Sequence, residues 1–126
     1  MPIADSGRVL VVDDDALIRD TLATALIDEG YAVRVAPDGQ AALQTLHEWL
    51  PDLIVLDLMM PVMDGHAFRM AQRGLDRAAH IPVIVLSAAH NIQGRVAGLG
   101  AAAVLPKPFD LGILLDVVER AVRRPA

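Results

Sequence analysis

The sequence predicts an α/β fold, a doubly wound parallel sheet of five strands with helices on both faces. Short runs of valine, isoleucine and leucine recur along the chain, and longer segments of helical periodicity separate them. Several of these runs are apolar at every position, which is typical of parallel strands that are buried on both faces. Such alternation implies right-handed crossovers between parallel strands.

The periodicity places strands and helices in alternation. The predicted strands lie near residues 8–13, 31–36, 52–57, 82–87 and 102–105. The predicted helices lie near residues 15–29, 38–50, 64–74, 91–99 and 110–123. Capping residues support three of the helix starts, at Asp15, Asp38 and Asp110, and Gly30 is the predicted end of the first helix.

Length and composition indicate a single domain. With 126 residues the chain is long enough for a sizeable core, and no linker-like stretch or internal repeat divides it. We expect residues 8–123 to form the domain and residues 1–7 to form an N-terminal tail. Residues 124–126 are expected to be a C-terminal tail or the start of a linker.

The composition also limits partners and location. A net charge of −5 argues against nonspecific binding to nucleic acid. The absence of cysteine excludes a disulfide framework and is compatible with a reducing compartment. The first seven residues lack an apolar signal core, and no apolar run approaches the length of a membrane span. We therefore expect a cytoplasmic protein without membrane contact.

An unbroken apolar run that ends on Asp57 is the most informative feature of the chain. The run has the character of a buried central strand, so Asp57 is predicted at the carboxyl end of that strand. Ligands of open α/β sheets bind at this edge. Pro61 and the Asp64-Gly65 pair then end the extended segment and start a helix. Asp57 is therefore predicted to face a loop crevice and not the core.

Two other apolar runs end on polar residues that are predicted to reach the same edge. The run at residues 8–12 continues into Asp13 and Asp14, and the run at residues 82–86 continues into Ser87. Two ionised carboxylates about 5 Å apart repel by roughly 3 kcal/mol at an effective dielectric constant of about 20, so the cluster needs a counter-charge or a proton. The available donors are oxygens and the chain has no thiol, which favours Mg²⁺ over zinc or copper.

Lys107 is the only lysine of the chain, and it follows the last predicted strand. Its compact ammonium suits a point-charge contact with a phosphate or a carboxylate. Prolines on both sides stiffen this loop, and the Lys107–Pro108 bond is a candidate cis peptide.

Together, these segments resemble the receiver domain of bacterial two-component response regulators. The likeness covers residues 8 to about 123 and rests on four motifs in matching order and spacing: Val-Val-Asp13-Asp14-Asp15, Leu-Asp57-Leu-Met-Met-Pro61-x-x-Asp64-Gly65, Val-Leu-Ser87-Ala88 and Leu-Pro-Lys107-Pro108-Phe109. Each residue alone would suit a simpler role as a helix cap, turn or loop residue, but their joint placement favours a shared site. The resemblance implies a flavodoxin-like sheet with strand order 2-1-3-4-5, and it puts the first and third strands at the topological switch point.

The resemblance also implies a metal site. Asp14 would be a direct Mg²⁺ ligand, Asp13 would act through a water molecule, and Asp57 would also belong to the metal site. The backbone carbonyl of Met59 would complete the metal site.

The same resemblance implies a phosphorylation site. Asp57 would be the phosphoacceptor, Ser87 would hydrogen-bond the phosphoryl group, and Lys107 would pair with it. The implied phosphodonor is a histidine kinase or a phosphotransfer protein. A downstream effector or an attached output domain would receive the signal.

The family pattern is not matched at the switch position. The residue three positions before the lysine is commonly aromatic, and here it is Val104, so the rotamer switch of an aromatic ring is absent. The face formed by the fourth helix, the fifth strand and the fifth helix is then unusually apolar. The last helix is expected to turn Leu114, Val117, Val118 and Ala121 to the core. It carries a second apolar stripe, Leu111, Leu115 and Val122. We expect this face to bind a partner, most simply a second copy of the chain in a homodimer.

Three classes of function remain open. The leading one is a phosphorylation-dependent signalling switch, which is not an enzyme beyond its partial phosphotransfer and autodephosphorylation reactions. The alternative is a pseudo-receiver that serves only as an interaction module. A Mg²⁺-dependent phosphohydrolase is disfavoured, because no second acid near Asp57 is positioned as a general acid or base.

Overall fold

The computed structural model describes residues 7–88 and 98–123. Strands and helices alternate in the order β1 (Arg8–Val12), α1 (Ala16–Asp28), β2 (Ala32–Ala36), α2 (Gly39–Glu48), β3 (Leu53–Asp57), α3 (Gly65–Arg73), β4 (Val83–Ser87), β5 (Ala103–Pro106) and α4 (Leu111–Arg123). The ends of these elements differ from the predicted ones by at most two residues. The predicted helix near residues 91–99 lies outside the described residues, except for its last two positions.

All five strands are parallel and lie in the order β2-β1-β3-β4-β5, which confirms the predicted sheet. β1 and β3 are direct neighbours, and Val12 is paired with Leu56 at their carboxyl ends. The chain order changes direction between these two strands, so this is the switch point at which open sheets leave a crevice. The residues that follow Val12 and Leu56 therefore emerge side by side.

The inner strands are buried because helices cover both faces of the sheet. β3 and β4 are buried at every position, as their continuous apolar runs predicted. One core cluster contains Leu10 and Phe68, and a second cluster contains Val11 and Leu114. Full burial of a side chain of this size contributes about 1.5–3 kcal/mol relative to exposure. The two clusters hold the sheet, and hence the strand ends, in fixed positions.

The predicted helix caps are confirmed. Asp15, Asp38 and Asp110 each accept hydrogen bonds from amides in the first turn of α1, α2 and α4. Gly30 follows α1 with a φ of 98°, and its amide donates to the Ile27 carbonyl. These caps fix the points at which the helices begin and end around the sheet.

The helices are also short relative to a bilayer. Within residues 7–88 and 98–123, no helix is long and apolar enough to cross a membrane.

Candidate functional site

Three aspartates meet at the carboxyl edge of the sheet. Asp13 follows β1, and Asp57 is the last residue of the neighbouring strand β3. Carboxylate oxygens of Asp13, Asp14 and Asp57 all lie within 4.8 Å of one another. Asp13 and Asp57 are buried, whereas Asp14 is exposed. The predicted convergence is therefore present, with Asp13 and Asp57 buried in the crevice and Asp14 on its solvent side.

This cluster fits a hard divalent cation. Its three side-chain donors are carboxylate oxygens, which Mg²⁺ and Ca²⁺ prefer in proteins. Two of the three carboxylates are buried, where uncompensated negative charge is costly. In the described part of the chain, no other group of three acidic, histidine or cysteine side chains is close enough to share a metal ion.

Lys107 brings positive charge to the cluster. Its Nζ lies 2.8 Å from Asp13 Oδ2 and 3.3 Å from Asp57 Oδ2. Its amide donates to the Ser87 carbonyl at 3.0 Å, and its peptide bond to Pro108 is cis, as predicted. Burial by itself would lower the pKa of Lys107, but the hydrogen bonds and charges of Asp13 and Asp57 outweigh it and raise that pKa. Lys107 therefore stays protonated.

Asp57 makes longer polar contacts than Asp13, the other buried carboxylate. Burial, followed by the negative charge of Asp13, raises the pKa of Asp57 to about 6, although Lys107 and the Met59 amide favour its ionised form. Both carboxylates have a partner at each oxygen, but Asp13 has the shorter contacts, 2.9 Å from the Asp15 amide and 2.8 Å from Lys107, against 3.3 Å for both contacts of Asp57. A cation at this site would therefore stabilise the ionised form of Asp57 more than that of Asp13.

The loop after β3 packs closely against the site. The Met59 amide donates to Asp57 Oδ1 at 3.3 Å, so the Met59 main chain lies beside the carboxylate. The Gly65 amide donates to the Leu58 carbonyl at 3.0 Å. A Cβ at position 65 would lie 2.7 Å from the Asp57 carbonyl oxygen, so glycine is needed for α3 to begin this close to β3. The use of the Met59 carbonyl as a metal ligand stays a prediction.

Ser87 lies at the same edge of the sheet, one strand further along. It is the last residue of β4, it is buried, and it is paired with Pro106 of β5. The register between β3 and β4 pairs Asp57 with Leu86, so Ser87 is the next residue beyond the level of Asp57. A contact between Ser87 and a phosphoryl group stays a prediction.

The residues predicted to form a partner surface are half-buried. Val104 packs against the first core cluster. Leu111, Leu115 and Val122 pack against the second cluster. Leu111 borders a groove along α1, and Val122 approaches Gly7, so this stripe of α4 faces α1 and the edge of the core.

A different stripe of α4 borders β5. A groove of about 420 Å³ lies there and is lined by Ala102, Ala103, Val117, Arg120 and Ala121. The sequence pattern assigned Val117 and Ala121 to the core, but both are half-buried beside this groove. Both stripes of α4 are half-buried and pack against the second core cluster, so helical spacing alone does not show which stripe a partner could reach.

The sequence did not indicate a buried polar network on α3. Arg69 is 7% exposed, and its guanidinium donates to the Gln72 side chain and to the carbonyls of Leu99 and Gly100. Arg73 adds bonds to the same segment. Burial, followed by the charge of Arg73, lowers the pKa of Arg69. Helical arginines usually face solvent, so the spacing of Arg69 and Gln72 does not predict their burial. The network connects α3 to the segment before β5.

Comparison with protein families gives one clear match. A family model described as "Response regulator receiver domain" matches residues 9–119. The response regulator MprA of Mycobacterium tuberculosis is 43% identical over 121 residues, which are 94% of this chain and 52% of that protein. MprA of Mycobacterium ulcerans is 41% identical over 121 residues, which are 94% of this chain and 51% of that protein. The chain thus spans about half the length of these relatives.

Solved structures are similar over nearly the whole chain. The receiver domain of the Francisella response regulator 1452 matches with a TM-score of 0.84 and 33% identity, covering 94% of this chain and 98% of that one. The chemotaxis response regulator CheY4 of Vibrio cholerae matches with a TM-score of 0.83 and 34% identity, covering 90% of this chain and 97% of that one.

Proposed function

The chain belongs to the family of response regulator receiver domains, and from this membership we propose that it is a signalling switch phosphorylated on Asp57. The observation that carries the proposal is the acidic cluster with its single lysine. Asp57 is one of the two buried carboxylates of that cluster, and it lies within 4.8 Å of the other two aspartates and 3.3 Å from Lys107. Receiver domains are phosphoacceptors and not enzymes in the usual sense.

The proposed reaction is phosphoryl transfer onto a carboxylate. An Asp57 carboxylate oxygen forms a bond to phosphorus, while the bond between phosphorus and a nitrogen of the donor's histidine breaks and the imidazole leaves. The transition state is loose and highly charged, so positioning and charge stabilisation can supply most of the catalysis. The proposed donor is a histidine kinase or a phosphotransfer protein. A cytoplasmic location is part of the same proposal.

The donor set supports Mg²⁺ as the cofactor of this transfer. The carboxylates of Asp13, Asp14 and Asp57 and the carbonyl of Met59 would hold it, with Asp13 acting through water. When bound, the ion neutralises charge on the phosphoryl oxygens and on the attacking carboxylate. The ion would stabilise the carboxylate of Asp57 most, because burial and the charge of Asp13 otherwise disfavour its ionised form.

The remaining polar groups would stabilise the phosphorylated state. Phosphorylation of Asp57 replaces one carboxylate oxygen charge with a dianionic group that has three acceptor oxygens. Lys107 already lies 3.3 Å from Asp57 and would pair with that group. Ser87 would donate its hydroxyl to the same group from the end of β4.

The output of the switch is proposed to be a change in partner binding at the surface of β5 and α4. The groove between Ala103 and Val117 supports an apolar contact there, most simply with a second copy of the chain. Val104 connects this surface to the core behind β5. A second candidate surface for self-association is the stripe of Leu111, Leu115 and Val122, on another side of α4.

Binding of beryllofluoride, which mimics an acyl phosphate, tests the proposal. With Mg²⁺ present, we expect backbone NMR shifts concentrated at Asp57, Ser87 and Lys107. If saturating beryllofluoride and Mg²⁺ leave those three amides unshifted, the proposed function is wrong.

A further inference from the structure

The loop after β3 is held at a second point, on the first turn of α2. The Met63 carbonyl accepts a hydrogen bond from the Gly39 amide at 3.1 Å. Amides in the first turn of a helix have no partner inside the helix, and Asp38 caps only the one at Ala41. Met63 therefore satisfies an amide that α2 itself leaves unpaired.

Glycine at position 39 provides the space for this contact. A Cβ there would lie 2.7 Å from Met63 Cγ and 2.8 Å from the Met63 carbonyl oxygen. The first of these contacts is with a flexible side chain, but the second is with the main chain and is not relieved by a rotamer change. Any larger residue at position 39 must therefore push the Met63 main chain away from α2.

Between its anchors, the loop makes a strained turn. The Met63 amide donates to the Pro61 carbonyl at 2.7 Å, and Val62 between them has a φ of 68°. This region is unfavourable for a β-branched residue. The Val62 side chain is 77% exposed, so its own packing does not hold it there. Strain of this kind persists only where the surrounding structure fixes it, and the bond from Gly39 to Met63 is such a constraint.

We propose that Gly39 and Met63 form a latch that positions the loop after β3, and with it the Met59 main chain, for metal binding. The inference rests on the proposed function, in which the Met59 carbonyl is a Mg²⁺ ligand. Only three residues separate Met59 from Met63, and Pro61 among them is rigid. A displacement of Met63 is therefore transmitted to the Met59 peptide, whose amide also bonds Asp57. Gly39 and Met63 are positioning residues that act through Met59.

Gly39→Ala tests the latch, with the Mg²⁺ affinity of the folded protein as the readout. Titration with MgCl₂ alone, followed by calorimetry and by the Met59 amide shift, gives that affinity. We expect a loss of roughly tenfold, as is typical when a residue that orients a metal ligand is replaced. Gly74→Ala is the matched control, because a Cβ there has its nearest contact at 3.4 Å, at the far end of α3. It should bind Mg²⁺ as the wild type does.

A second substitution separates positioning from a general effect on stability. Met63→Ala in the Gly39→Ala background removes the side-chain atoms that the new methyl group would meet but leaves the main-chain carbonyl, so Mg²⁺ affinity should stay about as low as in Gly39→Ala. A return to the wild-type affinity would contradict displacement of the Met63 main chain. A merely structural role for Gly39 would lower the melting temperature and leave the Mg²⁺ affinity of the folded fraction unchanged.

Hydrogen exchange of the Gly39 amide provides a test without substitution, should Gly39→Ala not fold. If the latch positions a metal ligand, Mg²⁺ must in turn slow exchange of this amide, because coupling is reciprocal. Equal Mg²⁺ affinity in Gly39→Ala and wild type, or exchange at Gly39 that saturating Mg²⁺ does not change, would overturn the latch alone. Failure of the wild type to bind Mg²⁺ would instead overturn the proposed function on which the latch rests.

Discussion

The Lys107 ammonium lies 3.3 Å from the Asp57 carboxylate and so joins the loop after β5 to the last residue of β3. The same ammonium bonds Asp13 at 2.8 Å, so one positive charge is shared between two buried carboxylates. A single cation does not neutralise two anions, and burial together with the negative charge of Asp13 raises the pKa of Asp57. The stability of the metal-free protein should therefore depend on the charge of Asp57.

Asp57→Asn should stabilise the metal-free protein at neutral and higher pH. The pKa of Asp57 is raised from an ordinary value of 3.8 to about 6, so the folded state binds its proton more tightly than the unfolded state does. Protonation of Asp57 therefore stabilises the folded wild type. This stabilisation is complete below about pH 4 and is lost as the pH rises through about 6. The amide of the Asp57→Asn variant does not titrate, so the advantage of this variant should reach about 1–3 kcal/mol at about pH 8. Urea unfolding in EDTA at about pH 5 and about pH 8 measures it. An advantage that does not grow with pH would contradict the assignment of charge to Asp57.

Lys107→Met should have the opposite effect on stability. It leaves Asp13 and Asp57 without their shared cation, which should lower the free energy of unfolding by about 3 kcal/mol at about pH 8. The pKa of Asp57 should then rise above about 6, and part of the stability should return at about pH 5. Lys107→Arg keeps the charge and is the control. Urea unfolding and NMR titration of Asp57 are the measurements, and wild-type stability of Lys107→Met at the higher pH would refute the shared-charge account.

Asp14→Asn should separate metal binding from folding. Asp14 is exposed, so its replacement should leave the fold intact, and the relieved repulsion should keep or raise the melting temperature in metal-free buffer. Mg²⁺ affinity should fall by at least about tenfold. Asp76→Asn, an exposed aspartate beyond the far end of α3, is the control for loss of one surface charge. An unchanged Mg²⁺ titration of Asp14→Asn would remove this residue from the metal site.

Substitutions on two sides of α4 should locate the proposed self-association surface. Ala103→Arg fills the groove beside β5 with charge and should weaken a dimer formed there, without affecting phosphorylation of Asp57. Thr24→Arg places the same charge in the groove between α1 and Leu111, and this substitution should leave self-association unchanged. Apolar burial yields about 25 cal/mol per Å² before the cost of association, so a modest change on phosphorylation can tip the balance.

Sedimentation with and without beryllofluoride measures the self-association of the wild type and of both variants. The reverse result, with Thr24→Arg weakening the dimer, would assign it to the stripe of Leu111, Leu115 and Val122. A monomer in both states at high micromolar concentration would eliminate self-association and leave a different protein as the partner.

The sequence predicts the sheet and the acidic cluster because both depend on local patterns. Continuous apolar runs mark buried parallel strands, and polar residues that end those runs must meet at one edge. Asp13, Asp14, Asp57 and Lys107 were found in this way, and the structure brings all four together.

Contacts between distant segments were not predictable in the same way. Both stripes of α4 have helical spacing, and both pack half-buried against the second core cluster, so spacing alone does not identify the accessible stripe. The burial of Arg69 depends on the carbonyls of Leu99 and Gly100, about thirty residues further along the chain. The approach of Met63 to Gly39 likewise depends on where the loop after β3 lies on α2. No local pattern encodes these distances.

Mass spectrometry after treatment with acetyl phosphate tests the central claim most directly. With Mg²⁺, the wild type should gain one phosphoryl group, located on the peptide that contains Asp57, and the modification should be lost when EDTA replaces Mg²⁺. Asp76→Asn should be modified like the wild type, whereas Asp57→Asn should not be modified. Modification of Asp57→Asn to the level of the wild type would contradict the account.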